Sequence, residues 1–513
     1  MARINSNIPG LIARANLGRA NADLEVRLQR LATGVRINRG ADNPAGLIIS
    51  ERLRSEISGI NQAVSNSDRA SSVIATAEGG LAEVSDLLSS IKGLVVEAAN
   101  TGALSSAERQ ANQLQIDSAI ESITRISNSV SFGGLKLLNG SLDYVLSGLQ
   151  GTDIARASIH GANFAGQPDI QVNVQVINSA QTASLFLSAA TGVFLSTVSL
   201  EVAGPLGVQT LEILSGQSVT DIAAAINNFK QATGISAALL GAGPTSGLRF
   251  DSVAFGTSQF VSVKRLNEPI GGGFFQTYSV SDDTNRGTVS FGDPTFVSSL
   301  TTANRDAGRD VSAIINGNVA TGDGLKLGVE NQTSLSLSLD LTATFGTTNN
   351  STSRFYITGG GALYQLGGDV NTSQQTNIGI QSLAASRLGG TIIPTDSNPE
   401  GTVQFLSSIR SGGINDLRSK NFENASKVLA SAIDEVAVIR GRLGAFEKNT
   451  LQTNVRSLQA AIENLTASGS RIRDADFAEE TSALTRSQIL TSASTSVLSL
   501  ANQQAQSVLQ LLR

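Results

Sequence analysis

Residues 81–98 read LAEVSDLLSSIKGLVVEA. Leu81, Val84, Leu88, Ile91, Val95 and Ala98 step by 3, 4, 3, 4 and 3. That rhythm sets one apolar side chain on the same side of a 3.6-residue helix at every turn and leaves Glu83, Asp86 and Lys92 for the other faces. The stretch predicts a long helix with a narrow, heptad-like seam. Upstream, Ile57, Ile60, Val64, Ser67, Ser71 and Ile74 continue the rhythm with smaller residues. Downstream, Ser105 and Glu108 form an S-x-x-E capping box that opens a second helix carrying Ile116, Ile120 and Ile123. Towards the other end of the chain, Val455, Leu458, Ile462 and Leu465 repeat the pattern.

The middle of the chain follows a different period. Leu335, Leu337, Leu339 and Leu341 alternate with Ser336, Ser338, Asp340 and Thr342, and Val172, Val174 and Val176 alternate with Asn173 and Gln175. A period of two predicts half-buried strands, with Leu185 and Leu187 in another. One helix interrupts them, capped by Ser218 and showing Ile222, Ala225 and Ile226 on its apolar face. Composition agrees with the split. Residues 151–410 hold 30 charged residues, against 49 in the remaining 253, and 14 of the 18 Phe. No proline occurs between Pro44 and Pro168 or after Pro399. Charge-rich, proline-poor ends around a Gly/Ser/Thr/Phe-rich middle predict an α+β multidomain chain. Its N- and C-terminal segments form a long antiparallel helical coiled coil or bundle, with a mostly β central insertion. The boundaries read from sequence are 1–43 for a first arm, 44–175 for a helical layer with a β-hairpin, 176–402 for the central region, 403–470 for the returning layer and 471–513 for the last arm.

Both arms carry stripes of their own. Ile4, Ile8, Leu11 and Ala15, then Leu17, Leu24, Leu28, Leu31 and Val35, recur at helical spacing, as do Leu490, Ala493, Val497, Ala501, Val508 and Leu511. Each buried Leu or Val contributes about 1.5–3 kcal/mol, against about 1–2 kcal/mol per residue for ordering the chain. Seams this narrow leave little surplus, so the arms complete themselves either as a closed two-helix coiled coil or against further copies of the chain. Seven arginines (3, 14, 19, 27, 30, 36 and 39) face Asp23 and Glu25 in the first forty residues. With no aromatic residue there to stack on bases, they read as a solvated or intersubunit salt-bridged face and not as a nucleic-acid site.

The 513 residues carry 37 Lys plus Arg and 42 Asp plus Glu, a net charge of −5, too mild for a nucleic-acid binder. With no Cys and one His, a disulfide framework, a thiol nucleophile and a multi-His metal site are all excluded. No apolar run reaches the roughly 18 residues of a membrane span. The first residues lack a secretory-signal pattern, since Asn5, Asn7 and Arg14 interrupt Ile4, Ile8, Leu11 and Ile12. His160 has no second ligand. Gly271-Gly272-Gly273 and Gly359-Gly360-Gly361 lack the Lys-Ser/Thr of a phosphate loop and read as turns. Asp282-Asp283 and Asp306 with Asp310 sit among polar residues and read as solvated surface. No catalytic constellation, metal or cofactor site emerges.

Two long motifs carry a resemblance. Arg30-Leu31-Ala32-Thr33-Gly34-Val35-Arg36-Ile37-Asn38, followed by Ala41-Asp42-Asn43-Pro44-Ala45-Gly46 and Ile49-Ser50-Glu51-Arg52, closely resembles the N-terminal signature of bacterial flagellin. Ser470-Arg471-Ile472-Arg473-Asp474-Ala475-Asp476-Phe477-Ala478-Glu479-Glu480 resembles its C-terminal signature, as do Thr495 to Leu498 and Val508 to Arg513. The likeness covers about residues 1–140 and 403–513. Ile213 to Ala237 resembles the small insert motif of flagellin central regions, giving an insert at about 190–240. Locally, Gly34 and Gly40 bracket a break between helices, with Asn43 as N-cap and Pro44 in the first turn. Gly133-Gly134 and Asn139-Gly140 read as turns of a β-hairpin, the second equally as a surface loop.

The resemblance implies a structural subunit that self-assembles into the helical filament of the bacterial flagellum. It implies export as an unfolded chain without a cleaved signal, which the absence of Cys fits. Its implied partners are copies of itself, an export chaperone, hook–filament junction proteins and the filament cap, with neither nucleic acid nor membrane insertion. It places the assembly contacts on Leu24, Leu28, Leu31, Arg36, Ile37, Asn38, Asp42, Asn43, Arg471, Asp474, Asp476, Leu490, Val497, Val508 and Leu511. The alternatives are a hook–filament junction protein or, from another class, a secreted adhesin working through 176–402. A β middle that projects outward implies that a short linker in place of 180–395 leaves assembly intact. At the positions where the family presents Arg, Leu and Glu to its innate immune receptor, this chain has Ser90, Leu94 and Gln115, which implies weak recognition. After Gly444-Ala445, the family's Gln-Asn-Arg followed by Phe or Leu becomes Glu447-Lys448-Asn449-Thr450, and the apolar residue arrives one place later, at Leu451.

Overall fold

The computed structural model describes residues 6–164, 166–187, 193–194, 197–240, 247–267, 276–280, 291, 298–331, 335–395 and 398–510. The longest helices are α1 (Ile8–Thr33), α2 (Pro44–Ala99), α3 (Ser106–Ser129), α4 (Val219–Asn228), α5 (Phe422–Phe446), α6 (Gln452–Arg473) and α7 (Phe477–Gln510). The chain divides into two compact units. The first holds Met1–Ser72, Tyr364–Gln375 and Ala445–Arg513, and the second Val73–Leu363 and Thr376–Gly444.

In the second unit the heptad-like stripe of α2 does what its spacing requires. Leu81, Val84, Leu88, Ile91, Val95 and Ala98 are all buried, with Ile116, Ile120 and Ile123 of α3 and Val428, Leu429, Ala432 and Val436 of α5. The capping box at the start of α3 forms in both directions, Glu108 N–H to Ser105 Oγ at 3.2 Å and Ser105 N–H to Glu108 Oε2 at 2.7 Å. A two-stranded hairpin, Ser131–Phe132 with Leu135–Lys136, turns at Gly133-Gly134, both at positive φ. Asn139-Gly140 lies outside it, as a separate turn in which Asn139 Oδ1 accepts the Ser141 N–H at 3.0 Å.

Beyond the hairpin stands an eight-stranded antiparallel sheet. Its spatial order is Tyr144–Ser147, Thr352–Gly360, Ile170–Asn178, Ser312–Ile315, Asn318–Asp323, Lys326–Asn331, Leu335–Leu341 and Ile154–Ala162. Val172, Val174 and Val176 and the four leucines of 335–341 all point into its core, so both alternating runs bury the face their pattern predicts. An inserted lobe follows. Two smaller sheets, one containing Ser184–Leu187 and the other Val198–Ala203, share a core with α4. Ser218 caps α4 through the Asp221 N–H at 3.2 Å. Val219, Ile222, Ala223 and Ile226 are its buried residues, and Ala225 is half-buried.

α2 starts at Pro44, the strand Ile170–Asn178 runs across 175/176, Asn398–Gln404 across 402/403, and α6 across 470/471. The inserted lobe's core runs from Ala183 to Ala303, well past 240. Residues 364–375, central by composition, belong to the first unit. There Asn66 Nδ2 donates to the Gln365 carbonyl at 3.3 Å and Asn454 Nδ2 to the Leu366 carbonyl at 2.8 Å. Gly368 lies so close to α2 that a Cβ on Gly59 would come within 2.9 Å of its carbonyl oxygen.

The displaced apolar residue after Gly444-Ala445 has a structural answer. Glu447–Leu451 form one π-helical turn between α5 and α6, closed by the Gln452 N–H to the Glu447 carbonyl, and Leu451 is buried. One extra residue in a plain α-helix rotates everything downstream by about 100°. A single wide turn absorbs it and keeps the phase of α6, so Leu451 regains an interior position and the local packing is intact. Deleting Asn449 is therefore expected to give an uninterrupted helix with Leu451 still inside, at a cost below about 1 kcal/mol. Leu451→Ala is expected to cost about 2–5 kcal/mol. Urea unfolding of the two variants makes the comparison, and a deletion as costly as the truncation contradicts it.

Candidate functional site: the paired terminal helices

The first unit is built on α1 and α7. They run antiparallel along a seam whose buried and half-buried positions are Gly10, Ala13, Leu17, Ala20, Leu24, Arg27 and Leu31 on α1. On α7 they are Glu480, Leu484, Ser487, Thr491, Ser494, Leu498 and Ala501. Both series alternate steps of three and four, the signature of a coiled coil. Nine of these fourteen are small or polar where coiled coils usually carry large apolar residues, and Leu17, Leu24, Leu31, Leu484 and Leu498 are the other five.

The electrostatics lie inside the seam. Glu480 is 5 % exposed. Its carboxylate accepts from Arg27 Nη1 at 2.9 and 3.2 Å and from Arg30 Nη1 at 3.1 Å. Burial pushes that carboxyl up, but the hydrogen bonds and charges of the two arginines outweigh it and hold the group below its ordinary value. Ser487 donates to Asp23 Oδ2, and Asn7 Nδ2 donates to the Ala501 carbonyl at 3.3 Å. Arg27 and Arg30, which the sequence reading placed on a solvated or intersubunit face, are thus engaged within the chain.

Between the arms and the next helices the two signature motifs clasp each other. Gly34, at φ +71, ends α1. Val35 and Asp474 then form an antiparallel bridge, with the Arg36 N–H to the Arg473 carbonyl at 2.7 Å and the Ala475 N–H to the Gly34 carbonyl at 3.0 Å. Arg36 Nη2 donates to the Ile472 carbonyl at 2.8 Å. Asn38 Nδ2 donates to the Val35 carbonyl at 3.0 Å, and Ile37 is buried. Asp42 Oδ2 accepts the Asn38 and Arg39 amides at 3.0 and 2.8 Å, which hold its carboxyl below the usual range. Asn43 Oδ1 takes the Gly46 amide and Asp476 Oδ1 the Ala478 amide, capping α2 and α7. Asp474 contributes backbone, and Arg471 its carbonyl, while both side chains stand exposed.

The arms' large apolar residues mostly face outward. Leu24 and Leu31 are half-buried in the seam. Ile8, Leu11, Ile12 and Leu28 of α1 and Phe477, Ile489, Leu490, Val497 and Leu500 of α7 are exposed, Leu11 by 62 %, Leu490 by 51 % and Val497 by 55 %. The stripes Ile8–Leu11–Ala15 and Leu490–Ala493–Val497 are thus a second, outer face of the helix pair. Ile4 and Leu511 lie outside the described residues, as does the side chain of Val508. Contiguous exposed apolar faces of this kind mark interaction surfaces.

The bacterial flagellin N-terminal helical region matches residues 4–143 and the C-terminal helical region residues 427–512, taking in the clasp and both arms. The chain belongs to the bacterial flagellin family. It is 28 % identical to the B-type flagellin of Pseudomonas aeruginosa and 27 % identical to the flagellin of Salmonella typhimurium, each over 99 % of both chains. The solved FliC structure from Burkholderia pseudomallei aligns with 75 % of this flagellin-family chain and 99 % of its own at 15 % identity, with a TM-score of 0.23. The family is one of structural proteins.

The remaining sites have structural roles or none described. His160 is half-buried against Ser338, its Nε2 and the Ser338 Oγ 3.1 Å apart; loss of solvent first, then the charges of Arg442 and Arg156, lower its pKa to about 3 and keep it neutral. Asp306 and Asp310 are half-buried staples and not solvated surface. Asp306 accepts the Ser184 amide at 2.8 Å, and Asp310 the Thr257 and Gly324 amides at 3.0 and 2.8 Å. Gly359 and Gly360 end the strand Thr352–Gly360 just after a bulge between Ile357 and Gly359, Gly361 bends the chain into the strand Ala362–Gln365, and a Cβ on Gly360 would come within 2.2 Å of the Asp143 carbonyl oxygen. Gly271-Gly272-Gly273 and Asp282-Asp283 lie outside the described residues. In the second unit, Ser90 and Gln115 are exposed on α2 and α3, and Leu94 is half-buried.

Proposed function

We infer that the chain is the structural subunit of a bacterial flagellar filament and assembles with copies of itself through the outer face of the α1–α7 pair, so that the filament drives swimming. The carrying observation is the division of labour on those helices. Their inner seam sets five half-buried leucines among mostly small and polar residues, and the large apolar residues Ile8, Leu11, Ile12, Leu28, Phe477, Ile489, Leu490, Val497 and Leu500 stand in water. Repeating one such contact along a non-closing screw axis builds a filament and not a ring. Family membership supports the same reading.

On this reading the subunit works outside the cell and leaves it unfolded through the flagellar export apparatus. The absence of Cys keeps the chain free of cross-links for that passage. Its partners, besides itself, are the export chaperone, the hook–filament junction proteins and the filament cap. Among the described residues no helix is long and apolar enough to cross a membrane. The engagement of Arg27, Arg30 and Arg36 within the chain weighs against a nucleic-acid role.

Removing 474–513 tests the assignment. The second unit's residues are untouched by that truncation, so a folded, soluble monomer is expected. Electron microscopy after seeding with filament fragments should show no growth. Ordinary filaments from the truncated chain would overturn the role given to α7.

A further inference from the structure

The α1–α7 seam is poorly defined by its apolar residues. Leu484 and Leu498 lie two heptads apart with Thr491 midway, and Gly10, Ala13 and Ala20 offer similar small surfaces. Sliding α7 by one heptad exchanges like for like over most of the contact. Its polar contacts do not tolerate that slide. In one direction Glu480 leaves Arg27 and Arg30 and arrives beside Asp23, a like-charge encounter at the exposed edge of the seam. In the other it runs past Thr33, where α1 ends, and Arg27 faces Ser487 and loses its carboxylate on α7, keeping only Asp23 of its own helix.

We propose that Glu480 is the positioning residue that fixes the axial register of α1 against α7. The selection combines attraction to Arg27 and Arg30 with repulsion from Asp23, and the Asp23–Ser487 and Asn7–Ala501 contacts secure it farther along the pair. A lone buried polar group specifying register is a known use of such residues in coiled coils. The register decides where Ile489, Leu490, Val497 and Leu500 stand beside Ile8, Leu11, Ile12 and Leu28, and so what outer face a second copy meets. That last consequence rests on the filament reading; the register does not.

A chain without cysteine allows a clean test in the full-length protein. Asn7→Cys with Asn502→Cys reports the observed register, since Asn7 Nδ2 and Asn502 Oδ1 are 3.4 Å apart. Asn7→Cys with Thr495→Cys reports a one-heptad slip. With Glu480 in place, the first disulfide is expected to exceed the second by at least about tenfold under mild oxidation. In Glu480→Leu the ratio should fall towards unity while helicity by circular dichroism persists, and the full charge exchange Asp23→Lys, Arg27→Glu, Arg30→Glu and Glu480→Arg, which inverts both the attraction and the repulsion, should restore it. Retention of the tenfold preference in Glu480→Leu, or absence of both disulfides in the chain with Glu480, overturns the proposal. Loss of the preference with filaments growing normally from seeds leaves the register assignment standing and overturns its bearing on assembly.

Discussion

Replacing Leu490 and Val497 together by aspartate is expected to abolish filament growth and to leave the folded monomer unchanged. In the single chain both side chains are more than half exposed and face away from the seam with α1. Nothing in that seam loses a contact, so far-UV circular dichroism and the unfolding midpoint should match those of the parent chain. In a polymer the same residues pass from water into a contact between copies. Both are about half exposed, so burying the remainder contributes roughly 0.8–1.5 kcal/mol each, and burying two carboxylates in their place costs several kcal/mol more, so about 3–6 kcal/mol per subunit is at stake. At about 1.4 kcal/mol per decade, the critical concentration rises by roughly a hundred- to ten-thousandfold, beyond practical protein concentrations. Sedimentation of polymer after seeding measures this. Growth at an unchanged critical concentration would show that the outer face of α7 is not where copies meet.

The sequence and the structure agree where one periodic face meets one core. The stripe from Leu81 to Ala98, the capping box of Ser105 and Glu108, and the alternating leucines of 335–341 are each decided by local spacing, and each is found as spaced. The arms are harder, because α1 and α7 carry two stripes each. Spacing alone favours the more apolar stripe. The pairing within the chain sets five leucines, Leu17, Leu24 and Leu31 of α1 and Leu484 and Leu498 of α7, among Gly10, Ala13, Arg27, Glu480 and Ser487, residues that give no hydrophobic signal. Glu480 could have been found only by noticing that it starts the four-three series through Leu484 and Ser487. The eight-stranded sheet was out of reach for another reason. It pairs 154–162 with 335–341, and alternation says which face a strand buries but not which distant strand lies beside it. The segment 364–375 escaped likewise, since two asparagine side chains and a close glycine contact hold it to the first unit, and none of these has a period.

That last point changes what can be removed from the middle of the chain. Excising 180–395 takes five of the eight strands of the large sheet and the 364–375 segment with them. Val311, Leu337, Leu339, Phe355 and Ile357 leave one continuous core. At about 1.5–3 kcal/mol for each buried side chain, the loss approaches or exceeds the whole stability of a domain, about 5–15 kcal/mol. An unfolded second unit is expected, whatever the linker. A narrower excision should behave in the opposite way. The inserted lobe leaves and re-enters the sheet through Gln181 and Arg309, which exchange both backbone hydrogen bonds, Gln181 N–H to Arg309 C=O at 2.8 Å and Arg309 N–H to Gln181 C=O at 3.0 Å. A pair in that arrangement is closed by a two-residue turn. Replacing 182–307 by one asparagine gives Gln181-Asn-Gly308-Arg309, an Asn-Gly hairpin at the point where the chain already doubles back. The lobe takes its own core with it, Leu185, Leu200, Ile222 and Phe250 among others, and leaves the buried residues of the large sheet in place. This variant is expected to fold, to unfold cooperatively within a few degrees of the parent, and to grow thinner filaments from parent seeds at a similar critical concentration. Failure of that variant to polymerise while its monomer remains folded would place a required contact between copies on the inserted lobe.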